Sequence, residues 1–298
     1  MSVATTPVSP TRPALWLSVL QLVRVGTLFS PAADVVASWC VAELPWRAEA
    51  ARAALASVAL YAAGMVWNDI ADRRLDAVQR PERPLPSGRV SLALALALGT
   101  ALLGIGLAVS PCRGHHGLIA ALVLCYDFLG KRVEWLGALN MGLLRALNLA
   151  TALAAGGATV GEGPRTALLS ASACYGLYIL AVTVLGIFED AEPVRPRAVA
   201  AVQAAPPLAA CCGLLAVQQG LWPAPLLALL PVLWFARRNR LRTHWDRAAI
   251  RASMTWLLLG TMLYTSLLAL AAGQPWAAAG IAAVIVPARW IARRIALT

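Results

Sequence analysis

Ten long apolar runs leave this chain few ways to fold. They lie at 14–42, 50–68, 91–110, 116–129, 135–156, 167–188, 198–218, 221–236, 249–271 and 275–292, with only short polar breaks between them. A helix needs roughly 17–25 apolar residues to cross about 30 Å of hydrocarbon. In lipid a backbone can satisfy its own polar groups only as a helix or a closed barrel. These runs are too long and too continuous for barrel strands. The expectation is therefore an all-α, polytopic membrane bundle of nine to ten transmembrane helices, the runs at 116–129 and 221–236 being the least secure. Composition agrees: 60% of the 298 residues are hydrophobic and 13% are charged, far from the balance of a soluble domain.

Residues 1–13 are polar and Pro-containing, so they read as a cytoplasmic tail ahead of a single domain over 14–298. No small-residue cleavage site follows, and the first span is expected to remain in place. Six scattered cysteines without CxxC spacing imply neither a zinc site nor a disulfide framework. The net charge of +11 is spread over short loops instead of forming one patch, which argues against a nucleic-acid partner. With the N-terminus in the cytoplasm, nearly all loop arginines fall on that side, and Arg47, Arg52, Arg113 and Arg165 alone fall on the other. This is the positive-inside bias, and it places both termini and the polar loops at the cytoplasmic face, with a bacterial inner membrane as the expected location.

The densest charge follows the second run, in WNDIADRRLDAVQRPERPLPSGR. If that run stays helical, Asp69, Asp72 and Asp76 lie at i, i+3 and i+7, on one stripe. Asp72 and Asp76 alone would destabilise a bare helix by a few tenths of a kcal/mol, so something positive should face them. Arg73 and Arg80, each four residues after an aspartate, offer a plain solvated helix end. Mg²⁺ is the alternative, since it takes a few carboxylates and shares its remaining shell with phosphates. Local spacing leaves the two readings even. Asn68 adds a neutral oxygen donor, and the arginines after the stripe suit phosphate.

With Asn68, Asp69, Asp72 and Asp76 followed by RPLPSG at 83–88, the sequence resembles the first signature of the UbiA superfamily of intramembrane prenyltransferases. The segment YDFLGKR at 126–132 is similar to that family's Tyr-to-Lys segment. The stretches around Arg24 to Asp34, Asn140 to Asn148 and Val182 to Glu189 resemble its less-studied branch from EboC-type gene clusters. The resemblance implies a UbiA-like fold, Mg²⁺ held by Asn68, Asp69, Asp72 and Asp76, and a diphosphate met by Lys131. Members of the family carry a second aspartate-rich motif after the sixth span. Here that place reads FEDAEP at 188–193, without a DxxxD, so Glu189 and Asp190 are expected to make at most a weaker second metal site, with Glu192 in the same segment.

Ionisable groups inside spans default to functional roles. Arg145 is expected to draw the diphosphate and Asp34 to orient an acceptor hydroxyl, the alternative being a buried ion pair of Asp34 with Arg145 or Arg24 that fixes helix packing. Asn140 and Asn148 sit near one and two turns from Arg145, where they line the same face or bond between helices. Arg80, Arg83, Tyr126 and Asp127 complete the expected substrate contacts. Trp67, beside the acidic motif, is placed to face a carbocation. His115, His116 and His244 read as solvated loop residues.

The function expected is transfer of an isoprenyl group from a prenyl diphosphate to a small aromatic or hydroxylated acceptor, with Asp69, Asp72, Lys131 and Arg145 central to the chemistry. The alternative is a non-catalytic membrane protein of the same fold that binds or transports a lipid-linked metabolite. A CDP-alcohol phosphotransferase is set aside, because Arg73 and Arg74 stand where its DGxxAR signature would begin.

Overall fold

The computed structural model describes residues 14–190, 196–217, 223–242 and 245–295, and every regular element among them is helical. In chain order these are α1 (Leu15–Leu22), α2 (Phe29–Val41), α3 (Ala48–Gln79), α4 (Leu92–Val109), α5 (Arg113–Phe128), α6 (Glu134–Leu149), α7 (Thr151–Gly156), α8 (Glu162–Asp190), α9 (Pro196–Val217), α10 (Pro223–Leu241), α11 (Arg247–Ala271) and α12 (Pro275–Ile295). The helix starts follow local chemistry. Ser91 opens α4 by accepting the Leu94 amide at 3.2 Å, and Asp246 opens α11 by accepting the Ala249 amide at 2.7 Å.

Six helices are long and apolar enough to cross a membrane: α3, α4, α8, α9, α11 and α12. Two bent pairs raise the number to eight. The remaining apolar runs form α5 and α10. At 16 residues α5 spans only about 24 Å, and the last turn of α10 carries arginine. These are the two runs whose sequence signal is shortest.

Two expected continuous spans are broken. The run at 14–42 bends by 42° between α1 and the segment that includes α2. The reason is local: Arg24 adopts a left-handed backbone, φ 50°, and a 3-10 turn at Val25–Thr27 follows. The run at 135–156 bends by 48° after α6. The amide of Ala152 that the bend exposes is taken up by Ser38 Oγ at 2.9 Å, which is how a broken helix survives at membrane depth.

Packing relies on close backbone approach and buried tyrosine. A Cβ at Gly142 of α6 would lie 2.7 Å from the Gly176 carbonyl of α8, so glycine lets these two helices touch. Tyr175, Tyr178 and Tyr264 gather at the α8–α11 seam with ring centroids 5.5–6.3 Å apart. One loop assignment is corrected here: α5 begins at Arg113 and carries His116 fully buried in its first turn, bonded to Ser110 Oγ at 2.7 Å and Ser57 Oγ at 3.2 Å. His115 is half-buried against the Leu147 carbonyl, and His244 lies outside the described residues.

α3 governs the position of the site. At 32 residues it is about 48 Å long, well beyond the hydrocarbon thickness of about 30 Å, and the aspartates lie on its last turns. α8, at 29 residues, ends on the acidic Glu189 and Asp190 in the same manner.

Candidate active site

The three aspartates of α3 do not share one stripe. Asp69 and Asp76, two turns apart, are both buried and face Arg83, whose Nη1 reaches Asp69 Oδ1 at 3.4 Å and Asp76 Oδ2 at 2.7 Å. Arg24 adds a contact to Asp69 at 3.2 Å, and Arg80 approaches Asp76 at 4.0 Å. Asp72 points elsewhere. It is paired with Lys131 Nζ at 2.5 Å, and the same ammonium donates to Asn68 Oδ1 at 3.3 Å. At about 100° per residue, positions 69 and 76 nearly eclipse, while 68 and 72 lie one turn apart on the neighbouring face. The cations then sort the carboxylates by face.

Beside Asn68 opens a cavity of about 220 Å³ between α3, α5 and α6. Its far wall is apolar, with Met65, Ile119, Val123, Met141 and Leu144. Its polar rim carries Arg24, Asn68, Tyr126 and Asp127. Asp127 also borders the open surface pocket that contains Asp72 and Lys131. One of its carboxylate oxygens, Oδ2, is buried without a hydrogen-bond partner. A buried unpaired carboxylate oxygen is costly unless some cation or donor completes it. Asn68 and Asp127 on the cavity rim, with Asp72 in the adjoining pocket that shares Asp127, therefore supply hard oxygen donors. Among the described residues no three acidic, His or Cys side chains stand close enough to hold a metal alone. That donor set fits a Mg²⁺ ion whose shell is completed by phosphate and water, and it does not fit an all-protein cage.

Other expected residues are placed differently. Asp34 is fully buried and does not reach the cavity. Its Oδ2 meets Arg145 Nη2 at 3.2 Å and Asn148 Nδ2 at 2.8 Å, while its Oδ1 accepts from Tyr175 at 3.1 Å. Arg145 and Asn148 do line the cavity, but the Arg145 guanidinium is held from behind by Asp34, Ser30 and Tyr175. The ion-pair alternative thus describes this cluster, with Arg145 in place of Arg24. Asn140 bonds the Leu122 carbonyl at 3.2 Å and lies off the cavity. Trp67 packs edge-on to Phe128 and against Gly99 of α4, so it faces away from the cavity and any carbocation within it.

At the second acidic segment, Glu189 is engaged by Arg251 of α11. Arg251 borders a further cavity of about 450 Å³ with Arg24, Arg80 and Arg83. Glu192 lies outside the described residues. Sequence reasoning missed two residues of the rim and wall. Arg24 enters the sequence reading as part of a motif and as an alternative partner of Asp34, whereas its left-handed backbone carries its side chain to Asp69 and into both cavities. Tyr61 lines the cavity about two helical turns before Asn68, a spacing that would have revealed it.

The model of the UbiA prenyltransferase family matches residues 28–259. Digeranylgeranylglyceryl phosphate synthase of Ignicoccus hospitalis is 38% identical over 112 residues, which is 36% of this chain and 36% of that protein. The protein of the same name from Methanopyrus kandleri is 30% identical over 192 residues, 63% of this chain and 68% of the relative. For the Ignicoccus, Saccharolobus and Sulfurisphaera relatives the chain spans 36%, 38% and 52% of their lengths. In structure the chain is similar to a UbiA homolog from Aeropyrum pernix, with a TM-score of 0.61, 24% identity and coverage of 88% and 97% of the two chains. It is also similar to a UbiA homolog from Archaeoglobus fulgidus bound to GPP and Mg²⁺, with a TM-score of 0.58, 15% identity and coverage of 90% and 99%.

Proposed function

The chain belongs to the UbiA prenyltransferase family, and we propose that it is an integral, multi-pass membrane enzyme that moves an isoprenyl group from a prenyl diphosphate to a small acceptor. The observation that carries this reading is the union of an apolar cavity with a rim of Asn68, Asp127, Tyr126 and Arg24. An apolar tail lies within, its diphosphate at the rim. Asn68, Asp72 and Asp127 would hold Mg²⁺, which would supply positive charge to the leaving diphosphate.

Lys131 and Arg24 neutralise the oxygens that gain charge as the bond from the prenyl C1 to diphosphate breaks. Tyr61 and Tyr126 line the cavity, where an allylic cation gains from aromatic π density. The apolar wall keeps water from that cation until the acceptor forms its bond to C1, and the acceptor's proton leaves with the diphosphate. Asp69 and Asp76 are positioning residues, since they orient Arg83 and Arg24. Arg145 positions the wall through its pair with Asp34.

The names of the relatives point to a glyceryl phosphate type of acceptor, and this is a more specific choice than an aromatic or hydroxylated one. Both termini and the polar rim belong on the cytoplasmic side by the distribution of arginine. The matched relatives are archaeal, so a specifically bacterial membrane is not part of the proposal. The engagement of Glu189 by Arg251 favours the alternative of binding without transfer, because it occupies the second acidic position.

One experiment separates the two. Purified protein in nanodiscs is given geranylgeranyl diphosphate, with and without Mg²⁺ and with either a glycerophosphate lipid or an aromatic acceptor. Mg²⁺-dependent prenylated product that falls at least a hundredfold in Asp72→Ala is the expected result. Mg²⁺-dependent binding of the diphosphate with no product from either acceptor would replace transfer by binding.

A further inference from the structure

An open cavity of about 620 Å³ lies away from the active site, between α9, α10 and α11. It exists because α10 packs chiefly on α9 and only sparsely on α11. Its walls are mostly aliphatic and aromatic, among them Leu227, Pro231, Phe235, Leu263 and Leu267. The hydroxyls that border it are already used. Tyr178 donates to the Leu257 carbonyl at 2.6 Å, Tyr264 to Ala171 at 3.1 Å and Ser266 to Ala278 at 2.8 Å. An occupant therefore meets a dry, apolar wall.

Length and charge narrow that occupant. From Trp256 to Leu267 the wall follows α11 for about 16 Å, close to one leaflet's half of the roughly 30 Å hydrocarbon core. At the Trp256 end, Trp234 and Trp256 meet edge to face at 5.9 Å. Each carries a guanidinium: Arg238 lies 5.3 Å from the Trp234 ring and Arg289 lies 5.6 Å from the Trp256 ring. Among the described residues neither arginine has a carboxylate partner. Both sit toward the ends of helices that the arginine bias assigns to the cytoplasmic face.

We propose that this groove is a binding site for an anionic glycerophospholipid of the cytoplasmic leaflet, one acyl chain filling the cavity and the headgroup lying against the Arg238 and Arg289 rim. The bound lipid replaces the packing that α10 lacks against α11. Basic groups near a membrane surface each favour an anionic lipid, and two together give a preference of roughly ten- to thirtyfold over a zwitterionic lipid.

The test is native mass spectrometry of the full chain extracted from nanodiscs of equal phosphatidylglycerol and phosphatidylcholine, counting retained lipid. Wild type should retain phosphatidylglycerol with that preference. The double variant Arg238→Gln/Arg289→Gln should lose the preference, whereas Arg293→Gln/Arg294→Gln, at the same face but outside the groove, should keep it. Ala228→Trp, which fills the groove, should lose retention of either lipid. Equal retention by wild type and the first double variant, or loss of preference in both double variants, would overturn the site in favour of diffuse surface charge. Because the readout is lipid retention, the result stands apart from whether the protein transfers prenyl groups.

Discussion

At the scale of single residues, the cluster behind Arg145 shows how one charge inside a membrane protein determines the role of another. Asp34 is fully buried and is compensated by Arg145, Asn148 and Tyr175 together. Removing one member leaves the other as a buried, unpaired charge, whereas replacing both with apolar groups removes the desolvation problem along with the attraction. Arg145→Met should therefore destabilise the protein by about 3–5 kcal/mol, and Asp34→Leu/Arg145→Met should recover most of that loss in a thermal-unfolding series. Full stability with no activity in Arg145→Met would move the residue into direct contact with the diphosphate. The ion-pair alternative was legible in the sequence, because two opposite charges in apolar runs have few other partners. The choice of Arg145 over Arg24 was not, since it depends on how far apart α2, α3 and α6 stand.

Elements decide what residues can reach. The same helix period that suggested one aspartate stripe separates Asn68 and Asp72 from Asp69 and Asp76, because a wide stripe spans two neighbouring rows once cations pack on both sides. The break in the first span is a second case: a hydropathy pattern has no term for a left-handed arginine, yet that conformation brings Arg24 to Asp69. Helix packing depends on equally local space. A methyl group on Gly213 of α9 would collide with the hydroxyl of Tyr264, a buried α11 side chain that donates to the Ala171 carbonyl of α8. Gly213→Ala should lower stability by about 1–3 kcal/mol, and adding Tyr264→Phe should restore part of it, as measured by thermal unfolding in detergent. An unchanged Tm in Gly213→Ala would mean that α9 and α11 have room to separate.

For the whole molecule, the decisive question is which face of the membrane holds the site. The arginine distribution puts the α3–α4 loop on the cytoplasmic side and the turn at Gly157–Thr159 on the other. In a variant with its six cysteines replaced, Ser87→Cys should be labelled by an impermeant thiol reagent only after the membrane is opened from the cytoplasmic side. Thr159→Cys should be labelled in intact cells. The opposite pattern would invert the proposed orientation without altering the fold. The sequence by itself determined the helical membrane architecture, since apolar runs in lipid have no other way to satisfy their backbone. It also determined the family and the residue types at the site, which are local in the chain. Only the tertiary structure decided that Asp127 joins Asn68 and Asp72, that Trp67 turns away and that Arg145 answers to Asp34. Each of these rests on contacts between helices far apart in sequence, and a one-dimensional pattern carries a helix's period but not the rotation at which it packs against its neighbours.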